Sequence, residues 1–310
     1  MVNEKKVQIL MSTFNGENYI QEQIESILNQ VGVNIDLLIR DDGSSDKTEL
    51  QIKKMQKKYP NRIHFISGKN VGFRKSFLQL VQYSSNQYDY FAFADQDDVW
   101  LPEKIIRAIR ILENNKCQYK LYGSTVTITD ESLQVLYTKK IKNYKLGFGS
   151  TITRMRIAGC TMVFNRQLFN LMRKVDFKNT PDDLMTTHDT LLMTLATAVD
   201  AYIYIDTRSY ILHRRLENSV TSGGNGLIKR VRSEWKGIFS FVGATTYLLK
   251  RIKETIPSQI TNDNMELINL VIRSQNSIYY RILLCFNKKM DCGFFIGNLE
   301  NKIKIMTNGF

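Results

Sequence analysis

The chain has 310 residues, of which 43% are hydrophobic and 24% are charged, a composition that excludes a disordered or fibrous protein. Because the start of the chain is polar and no apolar run reaches about 18 residues, we expect no signal peptide and no membrane span, hence a cytoplasmic protein. The net charge of +13 excludes little alone, since nucleic acid, an anionic membrane and phosphorylated substrates would all attract it.

The first third of the chain alternates short apolar runs with amphipathic stretches. Mostly apolar runs predict buried strands over residues 7–11, 35–39, 63–66 and 90–94. Helices are predicted between them, near residues 20–28, 47–58 and 74–83. This alternation is typical of an α/β protein with a mostly parallel central sheet flanked by helices.

Polar residues follow three of the predicted strands, at 13–15, 41–46 and 95–98. Ligands of open parallel sheets bind at the carboxyl ends of the strands. Because these ends meet at one edge of the sheet, the three polar clusters are expected to line one binding site.

The cluster that ends the fourth predicted strand is strongly acidic. Asp95, Asp97 and Asp98 place three carboxylates within four residues, and such a cluster is costly to fold unless a cation lies beside it. A hard divalent ion with oxygen ligands fits, and Mg²⁺ or Mn²⁺ often carries phosphates. The alternative is an acidic turn before a helix that starts near Pro102 and Glu103, because acids favour helix N-termini.

Two other turns indicate a nucleotide. Asp42 follows a strand, where an acid accepts hydrogen bonds from a base or ribose in nucleotide-binding folds, although an Asx turn is the alternative. Asn70, Gly72 and Arg74 form a turn and a basic helix start. A cation there opposes the helix dipole, and a diphosphate would satisfy both the cation and the free amides.

The second half of the chain is less regular. A helix is predicted around residues 105–112, and a mobile basic loop over 139–156. Strands are predicted over residues 121–128, 158–164, 201–205 and 209–213. The remainder is mostly helical, which predicts one domain over 1–226 and a helical subdomain over 227–310.

Three residues of the second half carry possible chemistry. Asp189 stands in the first turn of a predicted helix and would act as a general base if it reached a hydroxyl group. The alternative for His188 and Asp189 is a helix cap. His213, beside two arginines, would bind a metal or a phosphate.

The chain resembles the family 2 glycosyltransferases, most of all bacterial rhamnosyltransferases of cell-wall or capsular polysaccharide synthesis. Seven segments occur in the family's order between residues 5 and 225: ILMSTFNGENYIQEQIESILNQ, LLIRDDGSSDKT, NVGFRKSF, FADQDDVWLPEK, AGCTMVFNR, HDTLL and LHRRLENSV. The resemblance implies a GT-A (nucleotide-diphospho-sugar transferase) fold with a C-terminal helical appendage. It also implies a metal-dependent, inverting transfer that uses Mn²⁺ or Mg²⁺.

The resemblance and the local patterns together predict a role for each candidate residue. The nucleotide-sugar group is Thr13, Asn15, Asp41, Asp42, Asn70, Gly72, Arg74, Asp95 and Gln96. The acceptor-side group is Gly159, Cys160 and His188, and the metal group is Asp95, Asp97 and His213. Asp189 matches the family's catalytic base.

Two positions depart from the family pattern. The base is often followed by an aromatic residue at the acceptor, but here Thr190 follows it. The segment before the motif histidine often carries Arg and Gln, but here residues 210–212 read Tyr-Ile-Leu. The second departure makes Arg214 or Arg215 the candidates for the missing contact with the diphosphate.

The predicted function is transfer of a sugar, with L-rhamnose from a dTDP donor as the leading candidate, to a hydroxyl of a lipid-linked polysaccharide precursor. A UDP-hexose or UDP-N-acetylhexosamine donor is the alternative within the same fold. A sugar nucleotidyltransferase fits less well, because the turn at residues 12–16 lacks a cation. A non-catalytic nucleotide-sugar-binding module is a further alternative.

The basic residues of the last third predict the partners of the chain. They concentrate at 229–236, 250–253 and 288–289, at helical spacing among apolar residues. This pattern favours an anionic membrane surface over nucleic acid, so we expect a peripheral protein on the inner face of the cell membrane. A solvated helix face is the alternative, and a homo-oligomer through these helices is a further expectation.

Overall fold

The computed structural model describes residues 4–140, 145–153, 157–215 and 243–309. The strands are β1 (Lys6–Thr13), β2 (Asn34–Asp41), β3 (Ile63–Ser67), β4 (Tyr90–Ala94), β5 (Val99–Trp100), β6 (Lys120–Thr129), β7 (Val135–Thr138), β8 (Val163–Asn165) and β9 (Tyr202–Arg214). The helices are α1 (Ile20–Leu28), α2 (Thr48–Lys58), α3 (Phe73–Tyr83), α4 (Lys104–Glu113), α5 (Phe148–Thr153), α6 (Arg166–Lys174), α7 (His188–Ala198), α8 (Ala244–Thr255), α9 (Asn262–Ser274), α10 (Ile278–Cys285) and α11 (Phe295–Met306). Short 3-10 turns lie at Gly159–Thr161, Asp182–Leu184 and Lys288–Met290.

All the described strands form one sheet. Its order is β3-β2-β1-β4-β8-β6-β9-β5, and β7 pairs with β6. Strands β1 to β4 pair in parallel, with Thr13 opposite Asp41 and Met11 opposite Ala94. The carboxyl ends of β1, β2 and β4 therefore meet at one rim, as the sequence predicts.

The other half of the sheet is mixed. Strand β8 runs antiparallel between β4 and β6, whereas β9 pairs in parallel with β6 and antiparallel with β5. The predicted mostly parallel arrangement holds for the first four strands, and the other half of the sheet departs from it. The sequence does not predict this mixing, because β5 and β8 are only two and three residues long and local apolar patterns do not set the direction of such strands.

Four predicted elements differ from the observed ones. The strand predicted over 158–164 begins only at Val163, because the Gly159–Thr161 turn precedes it. The two strands predicted over 201–205 and 209–213 are one strand, β9, with shifts in its register against β6. The loop predicted over 139–156 contains α5, and its residues 141–144 and 154–156 lie outside the described ranges.

A hydrophobic layer covers each face of the sheet. One layer includes Ile24 of α1, Ile52 of α2 and Ala108 of α4. The other includes side chains from α3, α6 and α7, among them Phe169, whose ring stacks on Phe91 of β4 at 3.6 Å. A fully buried Phe of this kind contributes roughly 1.5–3 kcal/mol.

The C-terminal helices extend the second layer. Leu249 and Ile252 of α8 and Ile268 of α9 are fully buried in the same cluster as Phe91 and Phe169. The predicted boundary between residues 226 and 227 lies outside the described ranges. Within those ranges, no helix has the length and hydrophobicity needed to cross a membrane.

Candidate active site

Asp41 organises the turn that follows β2. Its buried carboxylate accepts hydrogen bonds from the hydroxyls of Thr13 (2.9 Å) and Ser44 (2.6 Å). It also accepts from the amides of Gly43 (3.1 Å) and Ser44 (2.8 Å). Asp41 therefore fixes the turn and holds Thr13 of the neighbouring strand against it.

Asp42 joins this turn to the start of α3. It is 2% exposed, pairs with the Arg40 guanidinium at 2.6 Å, and accepts from the amides of Val71 and Gly72 at 2.9 Å each. Gly72 also donates to the side-chain oxygen of Asn70 at 3.2 Å. These contacts bring the predicted nucleotide residues of both turns together, and the role of Asp42 toward a base or ribose stays a prediction.

Gln96 links the turns after β1 and β4. Its side-chain amide accepts from the Phe14 amide at 2.8 Å and donates to the Phe14 carbonyl at 3.0 Å. Asn15 adopts a positive φ of 49° and accepts from the Ser45 amide at 2.9 Å. A Cβ atom at Gly16 would lie 2.5 Å from the Gln96 side chain, so a larger residue there would displace Gln96 from its hydrogen bonds with Phe14.

An acidic cluster lies at the end of β4. It consists of Asp95, Asp98, Cys160 and His213, whose ligand atoms all lie within 4.8 Å of one another. Asp98 is fully buried, and its Oδ1 lies 2.7 Å from Nδ1 of His213. The pairing of β5 with β9 places Val99 opposite Leu212, and this brings their chain neighbours Asp98 and His213 together.

This cluster differs from the predicted metal group by one replacement and by one additional member, Cys160. Asp97 is not part of it, and the fully buried Asp98 takes its place. The Asp97 side chain is half-buried, and the backbone carbonyl of Asp97 accepts a hydrogen bond from Arg214 at 2.8 Å. The assignment of Asp97 as a metal ligand stays a prediction.

The charges of the cluster shift its pKa values. Burial and the charges of Asp98 and Asp97 raise the pKa of Asp95 to about 7. Burial lowers the pKa of His213, but the hydrogen bond and charge of Asp98 outweigh this effect and raise it to about 9. Burial likewise raises the pKa of the Cys160 thiol, so the thiol stays protonated at neutral pH.

The residues present fit a divalent cation. Within the described ranges, Oδ2 of Asp98 is buried without a hydrogen-bond partner, and the like charge of Asp95 lies beside it. Carboxylates suit Mg²⁺ and Mn²⁺. Metal-binding histidines usually form a hydrogen bond to a carboxylate through the ring nitrogen that does not bind the metal. His213 forms such a bond with Asp98.

Sequence reasoning missed Lys104, which lies beneath the cluster. It is 1% exposed, and its Nζ stands 3.4 Å from the centre of the Trp100 ring. Burial lowers the pKa of Lys104 to about 7, against the charges of Cys160 and Asp98. Its spacing from Ala108 and Leu112 on the buried face of α4 is the signal that could have revealed it.

His188 packs under the acceptor-side segment. It is buried, its ring stacks on Phe77 at 3.9 Å, and it meets Phe93 edge-on at 4.5 Å. A Cβ atom at Gly159 would overlap Nε2 of His188, so this contact requires glycine. Burial lowers the pKa of His188 to about 4, and neither ring nitrogen has a hydrogen-bond partner within the part of the chain that is described.

Asp189 stands at the start of α7. The helix cap is Thr187, whose side chain accepts from the Thr190 amide at 3.3 Å, and Asp189 shares this amide at 2.7 Å. The carboxylate of Asp189 is half-buried, and its Oδ1 accepts from the Thr187 hydroxyl and the Thr190 amide. These contacts orient the carboxylate through Oδ1, which leaves Oδ2 as the oxygen suited to a base.

The two predicted diphosphate-binding arginines have internal partners. Arg74 donates to the Met185 carbonyl at 3.0 Å, which ties α3 to the segment before α7. Arg214 is 3% exposed, bonds to the carbonyls of Asp97 and Glu131, and pairs with Glu22. Arg214 therefore holds the acidic turn from within the protein, and the diphosphate contact expected of Arg214 or Arg215 stays a prediction.

Comparison with known proteins identifies relatives of this chain. Residues 8–178 match the family model "Glycosyl transferase family 2". A dTDP-rhamnosyl transferase of Shigella flexneri is 32% identical over 214 residues, which cover 67% of this chain and 72% of the relative. An Escherichia coli glucosyltransferase, named for UDP-Glc and α-D-GlcNAc-diphosphoundecaprenol, is 28% identical over 53% of this chain and 62% of its own length.

Solved structures show the same fold. Residues 1–349 of Staphylococcus aureus TarS in complex with UDP-GlcNAc match with a TM-score of 0.56 and 14% identity, covering 98% of this chain and 90% of that one. Against a longer TarS chain the TM-score is 0.54, and the match covers 46% of that chain. This likeness confirms the predicted GT-A fold.

Proposed function

Because the chain belongs to glycosyl transferase family 2 and is a glycosyltransferase that uses nucleotide sugars, we propose that it transfers L-rhamnose from a dTDP donor, with inversion. The acceptor is a hydroxyl of a lipid-linked polysaccharide precursor. The dTDP-rhamnosyl transferase at 32% identity supports the choice of donor.

One contact carries the proposed reaction. Gly159 lies against His188, and their chain neighbours are Cys160 of the acidic cluster and Asp189 at the start of α7. This contact packs the proposed base beside the segment that belongs to the cluster. A donor diphosphate and an acceptor hydroxyl would therefore meet between the two elements.

Residues of the rim would bind the donor nucleotide, and Asp189 would activate the acceptor hydroxyl. Thr13, Asn15 and Gln96 lie in the linked turns of the rim, where they would hold the nucleotide. Oδ2 of Asp189 would remove the proton from the acceptor hydroxyl as its oxygen attacks the sugar carbon from the face opposite the diphosphate. A well-placed base of this kind contributes a factor of roughly 10²–10⁴ to the rate.

The acidic cluster would hold the metal. Asp95, Asp98 and His213 are the residues that would bind Mn²⁺ or Mg²⁺, with Asp97 adjacent in the chain. When bound, the ion supplies positive charge to the diphosphate leaving group.

A UDP-hexose or UDP-N-acetylhexosamine donor is the second candidate. The similar E. coli enzyme is named for UDP-Glc, and the similar TarS structure contains UDP-GlcNAc. The name of the E. coli enzyme also includes a diphosphoundecaprenol acceptor, which supports a lipid-linked acceptor for this chain. A protein that works on such an acceptor would bind the inner membrane surface peripherally.

Thermal unfolding with dTDP, UDP and GDP, each with and without Mn²⁺, tests the donor. We expect dTDP with Mn²⁺ to raise the Tm most, since a ligand that binds only the folded state stabilises it. A rise in Tm that requires Mn²⁺ and occurs with UDP but not with dTDP or GDP would support the second candidate. No shift with any nucleotide would contradict the proposed site.

Replacement of the base separates catalysis from binding. Asp189→Asn should lower kcat by roughly 10²–10⁴-fold and leave the nucleotide-dependent rise in Tm intact. Asp183→Asn, at an exposed acid six residues earlier, is the matched control and should keep full activity. Full activity of Asp189→Asn would contradict the role of Asp189, and turnover by neither wild type nor variants would favour a binding module.

A further inference from the structure

Helix α10 exposes a row of large apolar side chains. Ile278, Ile282 and Phe286 follow one another at intervals of four residues and are 57%, 45% and 77% exposed. Leu284 lies on the opposite side of the helix and is fully buried in the core. Single exposed apolar residues are ordinary, but a row of them along one helix face indicates a binding surface.

Helix α11 presents a second row beside the first. Phe295, Leu299, Lys302 and Met306 share one side of this helix, and Phe295 is 81% exposed. Lys302 Nζ stands 5.4 Å from the centre of the Phe286 ring, which joins the rows of the two helices. We call these side chains of α10 and α11 the apolar face.

The charge of this region is positive. Between residues 278 and 309 the chain has five Lys or Arg and two Asp or Glu. Lys288 and Lys289 lie in the turn that connects α10 to α11, and Lys302 lies in the apolar face itself. A helix that lies in a bilayer interface combines such cations with aromatic and aliphatic side chains.

We infer that the apolar face docks onto an anionic lipid bilayer. Its aromatic and aliphatic side chains would enter the interface between headgroups and acyl chains, and Lys288 and Lys302 would meet the anionic headgroups. A second copy of the chain is disfavoured as the occupant, because a symmetric pairing would place two positively charged faces opposite each other.

The inferred surface differs from the one that basic runs predict. In α8, Arg251 donates to the Asp176 carbonyl at 2.8 Å, and Lys253 donates to Asn269 at 2.7 Å. These two cations have partners within the protein, and so do Arg281 and Lys289 of the α10–α11 region. What distinguishes α10 and α11 is that Lys288 and Lys302 lie beside exposed apolar surface. The basic run at residues 229–236 lies outside the described ranges.

The apolar face connects to the proposed acceptor side. A Cβ atom at Gly149 of α5 would overlap the Lys289 carbonyl in the turn between α10 and α11, so these elements are in close contact. Helix α5 in turn packs on α7, which carries Asp189 at its start. The biological reason for docking rests on the proposed lipid-linked acceptor, but the binding of lipid does not.

Co-sedimentation of the full chain with vesicles tests the inference. We expect binding to phosphatidylglycerol–phosphatidylcholine vesicles and little binding to phosphatidylcholine alone. Phe286→Gln combined with Phe295→Gln should lower the partition coefficient at least ~10-fold. Leu50→Gln combined with Leu136→Gln removes two exposed apolar side chains elsewhere and should bind like the wild type.

Three outcomes would overturn the inference, two of them in vesicle binding and one in oligomeric state. One is the absence of binding of the wild type to anionic vesicles, and the other is unchanged binding of the Phe286/Phe295 variant. If light scattering instead shows a wild-type dimer that this variant loses, the occupant is a second copy and the inference is wrong.

The nucleotide-dependent rise in Tm, measured on the same proteins, separates this inference from the proposed function. Absence of vesicle binding by the wild type together with an intact Tm shift contradicts the lipid surface alone. Vesicle binding without any Tm shift contradicts the proposed donor site alone.

Discussion

At the scale of single residues, the candidate site depends on positions where packing or charge restricts the choice of side chain. Gly159 lies where any Cβ atom would overlap His188, and Asp98 keeps a buried oxygen beside the charge of Asp95. Such positions have a steric or electrostatic reason that a substitution can test separately from the fold.

Replacement of Gly159 tests the contact between the acceptor-side segment and α7. Gly159→Ala should destabilise the protein by roughly 1–3 kcal/mol, because the added methyl group must displace the packed His188 ring. It should also lower kcat, since Asp189 moves with His188. Urea unfolding and turnover measure the two effects.

Gly147→Ala is the matched control for this substitution. A Cβ atom there meets nothing within 4 Å, so its stability should remain within about 0.5 kcal/mol of the wild type. Equal stability of both variants would contradict the close contact at Gly159.

The buried His188 predicts a dependence of stability on pH. Because burial lowers its pKa from 6.5 to about 4, the unfolded chain binds more protons than the folded protein between these values. Its contribution to the free energy of unfolding is therefore complete above pH 6.5 and falls as the pH drops toward 4. The loss is up to about 3 kcal/mol.

His188→Leu should remove this contribution. Urea unfolding at pH 7 and pH 5 should show a smaller loss of stability on acidification in the variant than in the wild type. Equal losses in both proteins would show that His188 is not buried as a neutral ring.

The acidic cluster predicts a dependence of metal affinity on pH. In the metal-free protein the pKa of Asp95 is about 7 and that of His213 about 9, so protons compete with a cation at both groups. The affinity for Mn²⁺ should rise about tenfold per pH unit between 7 and 9, and more steeply below 7. Calorimetry at pH 6, 7 and 8 measures this, and an affinity that does not change with pH would contradict metal binding by these residues.

At the scale of elements, turns couple the strands and helices of the rim. Asp42 accepts a hydrogen bond from the Gly72 amide at the start of α3, and Gln96 accepts one from the Phe14 amide that follows β1. The three carboxyl ends thereby form one connected surface. A substitution in one turn should therefore shift the predicted nucleotide-binding residues in the other turns.

Gly72 tests this coupling. It precedes α3 with φ +82° and ψ 150°, a region that side chains rarely adopt, so Gly72→Ala should cost about 1–3 kcal/mol of stability. Because Gly72 donates to Asp42, the affinity for the nucleotide should fall too. Unfolding and nucleotide titration measure both effects, with Gly147→Ala as the control, and an unchanged nucleotide affinity would contradict the coupling.

At the scale of the whole molecule, one hydrophobic layer unites α8 and α9 with the sheet. Leu249 and Ile268 are fully buried in the cluster that contains Phe91 and Phe164 of β4 and β8. The C-terminal helices therefore depend on the sheet for burial of their apolar sides. Elements that share a core in this way unfold together.

Leu249→Ala should therefore destabilise the entire protein. We expect a loss of roughly 2–5 kcal/mol, with far-UV circular dichroism and tryptophan fluorescence following one transition. Leu50→Ala, at an exposed position of α2, is the control and should have little effect. Separate transitions would indicate that the C-terminal helices fold on their own.

Much of this protein follows from local sequence. Apolar runs such as 7–11 and 90–94 predict buried strands, and the observed β1 and β4 include them. The polar residues after these strands predict the rim, because a parallel sheet places its carboxyl ends together. These features can be predicted from the sequence because hydrophobic periodicity and turn preferences depend on residues that are neighbours along the chain.

Only the tertiary structure decided which residues meet. Asp98 pairs with His213 because β5 aligns with β9, and the two residues are 115 positions apart. Lys104 lies under the cluster because one face of α4 packs on the sheet, and the apolar face is visible only once α10 and α11 lie side by side. A sequence pattern reports the environment a segment prefers, whereas the partner of each side chain is set by pairings between distant strands and helices.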